Sequence, residues 1–132
     1  MSEVHEGGCH CRAIRWRIEG PIQHASYCHC RMCQLSMGAV AGAFATVASA
    51  DFRYTAGTPK IYRSSDSVSR EFCGNCGAQV VFRREGKERH GVNLVTFDDP
   101  SVVAPTLHIW TESRIPWFDT TDSHERRLKN LP

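Results

Sequence analysis

Apolar and polar residues alternate along this chain in short runs, each closed by a turn signal. From Cys11 to Ile18 the residues Ile14, Trp16 and Ile18 share one side and Arg15 and Arg17 the other, which predicts a half-buried strand ended by Gly20-Pro21. His24 to Cys28 suits a second short strand, and Arg31 to Ser36 has room for one or two helical turns. Small and β-branched residues around Phe44 predict a strand over Val40 to Val47, although the alanines would also serve a helix. Asp51 to Tyr54, Lys60 to Tyr62 and Val68 to Phe72 read as strands parted by Gly57-Thr58-Pro59 and by Ser64 to Ser67. Gln79 to Arg83, Val92 to Phe97 and Leu107 to Thr111 follow, and no stretch has the period of a long amphipathic helix. The expectation is an all-β fold of short antiparallel strands in a sandwich or open barrel, one domain over 1–132 with a polar tail from about 118.

Composition narrows the function classes. The 132 residues carry 16 basic and 14 acidic side chains for a net charge of +2, interspersed along the chain, so no nucleic-acid partner is expected. The weakly polar run Met37 to Ala50 is too short to cross a bilayer, and the start at Met1 lacks an apolar segment behind a positive end. A cytoplasmic protein without a membrane partner is expected. Oligomeric state is not legible from the sequence.

Seven cysteines change the picture, because reduced thiols in odd number need a purpose other than disulfides. Cys73-Gly74-Asn75-Cys76-Gly77 has the spacing of a metal knuckle, with a glycine to take the positive φ on the way out. Cys9 and Cys11, two apart at the mouth of a strand, supply a second pair on one face. Together these four predict a structural zinc site that shields its ion from solvent and pins the N-terminal strand to the centre of the sheet.

Cys28, Cys30 and Cys33 are left to each other. Three thiolates leave one position of a tetrahedral ion for water or substrate, so this stretch is expected to be a catalytic zinc site. A second reading closes it with His29 or His108, making the protein a zinc-stapled binding or structural module without turnover. A third makes the trio a redox sensor. Arg31, Arg53, Arg63 and Arg70 are cations available to an acidic substrate, each expected to be a surface charge, and Arg31 stands out by its place between ligands. His10 and His29 are expected to be exposed spacers.

With these motifs in order, the chain resembles the glutathione-dependent formaldehyde-activating enzyme family, also called the GFA or CENP-V-like family. The resemblance rests on Gly8-Cys9-His10-Cys11, Cys28 to Cys33, Arg70 to Gly77, Asp98-Asp99-Pro100 and His108-Ile109-Trp110 leading to Pro116-Trp117. It implies an Mss4-like fold and two zinc ions, a structural one on Cys9, Cys11, Cys73 and Cys76 and a catalytic one on Cys28, Cys30 and Cys33. It further implies a carbon–sulfur lyase that joins a small thiol, glutathione first, to an aldehyde such as formaldehyde. No substrate-binding residue is assigned by it; Arg31 and His108 are the candidates.

Overall fold

The computed structural model describes residues 3–131. Among them the chain forms β1 (Val4–Gly8), β2 (Arg15–Glu19), β3 (His24–Cys28), α1 (Arg31–Met37), β4 (Gly42–Ala48) and β5 (Phe52–Ala56). Then come β6 (Lys60–Arg63), β7 (Val68–Phe72), β8 (Gln79–Arg84), β9 (Arg89–Asn93), β10 (Leu107–Ile109) and β11 (Glu125–Arg126). They make a three-stranded sheet, β1-β2-β5, and an eight-stranded one in the order β11-β10-β3-β4-β9-β8-β7-β6, neither closed on itself. The expected all-β architecture of short strands is present. Two pairings are parallel, β10 with β3 and β10 with β11, and the rest are antiparallel.

The boundaries differ from expectation where side chains take the backbone's hydrogen bonds. β2 begins only at Arg15, because the amide of Ile14 donates to Cys9 Sγ at 3.2 Å and folds residues 10–13 into a turn with Arg12 at φ 67°. Cys9 and Cys11 therefore lie in a turn and not at the mouth of a strand. β9 ends at Asn93, whose side chain accepts from the Val95 amide at 3.3 Å and starts a 3₁₀ turn over Leu94–Thr96. β1, with His5 and Glu6 in its middle, carries too little apolar signal to be read from pattern.

The main core lies between the two sheets. The alternation of β2 puts Ile14, Trp16 and Ile18 inward, all at most 3 % exposed, against Val47, Val80 and Val92 of the larger sheet. Trp16 meets Phe97 edge to face at 4.8 Å, and its indole N–H donates to Thr96 Oγ1 at 3.2 Å, so the one polar atom of this buried ring is satisfied. Tyr54 of β5 donates to Glu71 of β7 at 2.6 Å and Arg83 pairs with the same carboxylate, a second tie between the sheets.

Alternation along β4 serves two faces. Ala45 and Val47 enter the main core, whereas Phe44 and Thr46 face a cavity on the opposite side of the eight-stranded sheet. A smaller apolar cluster of Cys28, Cys33, Phe44, Leu107 and Ile109 lines that side.

Candidate functional site

The four outer cysteines come together. Cys9 and Cys11 sit in the β1–β2 turn, Cys73 and Cys76 in the knuckle between β7 and β8, and all four sulfurs lie within 4.8 Å of one another. Cys11 Sγ is 3.7 Å from both Cys9 Sγ and Cys73 Sγ. That separation is the edge of a tetrahedron whose centre is about 2.3 Å from each corner, the metal–sulfur distance of a thiolate site. Gly77 leaves the knuckle at φ 80°, as its position predicts, with its amide donating to Cys73 O at 2.8 Å.

Amides also aim at these sulfurs. Cys73 accepts from the Asn75 and Cys76 amides, and Cys11 accepts from Asn75 Nδ2 at 3.2 Å. The Ala78 and Cys11 amides hold the Cys76 thiol down at about 6, while burial raises that of Cys9. Two expectations are corrected. The set joins the small sheet to β7, next to the edge of the large sheet and not its centre, and it is not shielded: Cys11 is exposed and Cys76 half-exposed.

The trio is built differently. β3 ends at Cys28, His29 leads to Cys30, and Cys30 Sγ caps α1 by accepting the Cys33 amide at 3.2 Å; Gly38 closes the helix in the left-handed conformation. This turn brings the three sulfurs within 4.8 Å of one another, with Cys28 and Cys33 at 3.2 Å. Cys28 and Cys33 are buried and Cys30 half-buried. Hydrogen bonds from Cys28 and Cys33 pull the Cys30 thiol well below its ordinary range, helped by the Cys33 amide and the Arg70 charge. The same contacts and burial push Cys28 up. Cys33 is drawn down by Cys28 but more strongly raised by Cys30 and burial, to about 11.

Arg70 departs most from expectation. It is 2 % exposed and not a surface charge: Nη1 and Nη2 lie 3.7 and 3.6 Å from Cys33 Sγ, Nε donates to Ser64 Oγ, and the guanidinium lies over the Phe82 ring at 5.0 Å. Among the described residues no carboxylate pairs with it, so its counter-charge is the sulfur cluster. The signal was present, since Arg70 falls on the same alternation as buried Val68 in β7.

The two histidines do not close the trio. His29, expected as an exposed spacer, is fully buried, and its Nε2 meets His108 Nδ1 at 2.9 Å; His108 Nε2 in turn meets Asp122 at 3.0 Å. Neither ring belongs to the sulfur group. Gln34, unmarked by sequence reasoning, fastens the loop by donating to His29 O at 2.9 Å and Ser113 O at 3.1 Å. His10 is exposed, and Arg53 and Arg63 carry mostly exposed side chains.

Above the trio opens a cavity of about 500 Å³, a size that suits a small molecule. Phe44, Phe82, Ile109 and Trp110 form its apolar walls, and Arg31, Arg84, Lys87 and Arg89 bring positive charge to it against one acid, Glu112. Arg31 is exposed and donates to Gln34 Oε1 at 3.1 Å. Trp110 holds φ 55°, an uncommon conformation for so bulky a residue, where the chain turns out of β10 to wall the cavity.

Soft sulfur donors, all free and none in a disulfide, suit a metal ion at both sets. Among the described residues, no helix is long and apolar enough to cross a membrane.

Known proteins locate this arrangement. A crystal structure of a Rhodobacter sphaeroides protein matches with a TM-score of 0.61 at 26 % identity, over 76 % of this chain and 91 % of that one. A search of the curated proteins finds no match. The family model described as glutathione-dependent formaldehyde-activating enzyme matches residues 4–113, a span that holds both cysteine sets and most of the cavity. The chain belongs to the glutathione-dependent formaldehyde-activating enzyme family.

Proposed function

We propose that this protein is a zinc-dependent carbon–sulfur lyase of its family's type, joining the thiol of glutathione to formaldehyde at the Cys28, Cys30 and Cys33 site. The observation that carries the reading is a three-sulfur cluster, which among the described residues includes no histidine, beneath a small-molecule cavity bearing several cations. The reaction forms one C–S bond, breaks the carbonyl π bond and moves the thiol proton to the carbonyl oxygen, with no change of oxidation state. Zinc on the three thiolates would supply a Lewis acid that favours the thiolate form of a bound thiol and polarises a carbonyl.

The protein's own groups do the rest. Arg70 offsets the negative charge of three thiolates and holds Cys33 in place through two N–H donors. Arg84, Lys87 and Arg89 attract the two carboxylates of glutathione, leaving its sulfur to reach the cavity floor. Phe44, Phe82 and Ile109 exclude water from the reacting atoms. Cys9, Cys11, Cys73 and Cys76 would hold the second zinc as a structural ion. We read residues 1–132 as one domain, and the seven free thiols as suited to the reducing cytoplasm.

The test is exchange NMR on ¹³C-formaldehyde with glutathione. The zinc-loaded protein is expected to speed interconversion of free aldehyde and S-hydroxymethylglutathione above the spontaneous rate, and a thiol lacking both carboxylates should gain much less. Exchange no faster than in buffer, with two zinc ions bound per chain, would leave the chain a metal-stapled binding module.

A further inference from the structure

The family match stops at residue 113, yet the chain after it returns to the trio. β11 pairs in parallel with β10, the Arg127 amide donates to His108 O at 2.8 Å, and the Trp110 amide donates to Lys129 O at 2.9 Å. Asn130 and Leu131 line the cavity, and Leu131 packs on the apolar cluster that holds Cys28 and Cys33. Between these contacts Asp122 reaches His108 Nε2, with its two oxygens at 3.0 and 3.3 Å.

The hydrogen-bond sequence has one direction. Asp122 is fixed as an ionised acceptor by the Thr120 side chain, His108 and the His124 amide, which hold its carboxyl well below the usual range. An acceptor-only carboxylate requires the His108 proton on Nε2, so His108 Nδ1 accepts, and the proton of His29 must stand on Nε2 to meet it at 2.9 Å. Both imidazoles are fully buried, and Tyr27 stacks on His108 with ring centroids 4.8 Å apart. His29 stands between Cys28 and Cys30, and its amide donates to Ile109 O at 3.1 Å, so its ring and its backbone are both tied to β10.

We propose that residues 119–131 are a positioning element of the trio, in which Asp122, acting through His108 and His29, fixes the loop that carries Cys28 and Cys30. The role is geometric. A pair of ligands flanking a ring locked in one tautomer and one orientation cannot drift apart, as when partners of a metal-bound histidine fix it from outside. This rests on the reading of the trio as a metal site, and the measurement below separates the two.

Full-length protein carrying two zinc ions is mixed with excess chromogenic chelator and the release followed in time. Wild type is expected to give two phases of equal size, the trio's the faster. Asp122→Asn should quicken the fast phase about tenfold or more and leave the slow one unchanged, the slow phase serving as the internal report on the fold. Asp122→Glu should return most of the lost retention. In ring ¹⁵N spectra of the zinc-loaded protein, His29 should carry its proton on Nε2 in wild type and divide between tautomers in Asp122→Asn.

An unchanged fast phase, equal quickening of both phases, or unaltered ring spectra would overturn the positioning role. A wild-type chain that holds only one zinc overturns the metal reading of the trio, and this inference with it.

Discussion

Four sulfurs drawn from segments 62 residues apart stand half in solvent, while three sulfurs from a single turn lie under a cavity beside a buried arginine. A structural site would be expected to hide and a reactive one to be exposed, yet the four-sulfur set is the more exposed of the two. On the proposed reading, closure by four ligands would make the outer set inert without burial. The inner set opens onto its cavity and is flanked by Arg70 on one side and the His29, His108 and Asp122 line on the other. The sets also differ in what they join: the first ties two sheets together, the second shapes one loop on a sheet already formed.

The strongest way to break this contrast is to remove one sulfur from each set. Cys76→Ser should cost most of a structural zinc's contribution to folding, on the order of 10 kcal/mol, and give an unfolded or aggregated product. Cys30→Ser should keep a cooperative melt near the wild-type temperature, bind one zinc instead of two, and lose turnover. Thermal melts with metal analysis decide it; equal loss of fold in the two variants would erase the division of labour.

A smaller effect is expected at Arg70. Hydrogen bonds to charged groups are worth about 1.5–3 kcal/mol, so Arg70→Met should lower kcat/KM by about 10- to 100-fold. Zinc at the four-cysteine set should be retained. Arg70→Lys keeps the charge but not the fork of two donors, and should recover only part of the loss. If Arg70→Met leaves steady-state turnover intact, the guanidinium merely fills space against Phe82.

How legible these features were depends on whether a residue's signal is local. Trp16 and Ile18 announce their strand by alternation, and Cys73-Gly74-Asn75-Cys76-Gly77 announces its turn by spacing, because the forces that place them act between near neighbours. Arg70 was half legible: its place on a buried face could be read, its sulfur partner 37 residues away could not. Asp122 left no trace in a tail without period, since what orders it is a histidine on β10. The exposure of Cys11 was invisible for the same reason, being decided by how two sheets meet.

The smallest effect concerns the background against which the two sets are compared in acid. His90 is 3 % exposed beside Phe52, with Nδ1 facing Arg83 and Ser49 at 3.1 Å, and burial with the Arg83 charge lowers its pKa to about 3. Its folded value lies below the unfolded one near 6.5, so the unfolded chain binds the extra proton between these limits. The stability it gives is present above about pH 6.5 and is lost as pH falls toward about 3. From pH 7 to 5.5 the loss is about 1 kcal/mol, set by the unfolded value alone. His90→Gln should lessen that slope in denaturant melts over this range by about this amount, leaving the share of His29, whose pKa burial also lowers. A slope as steep in His90→Gln as in wild type would show that the buried imidazole of His90 is not the group that carries it.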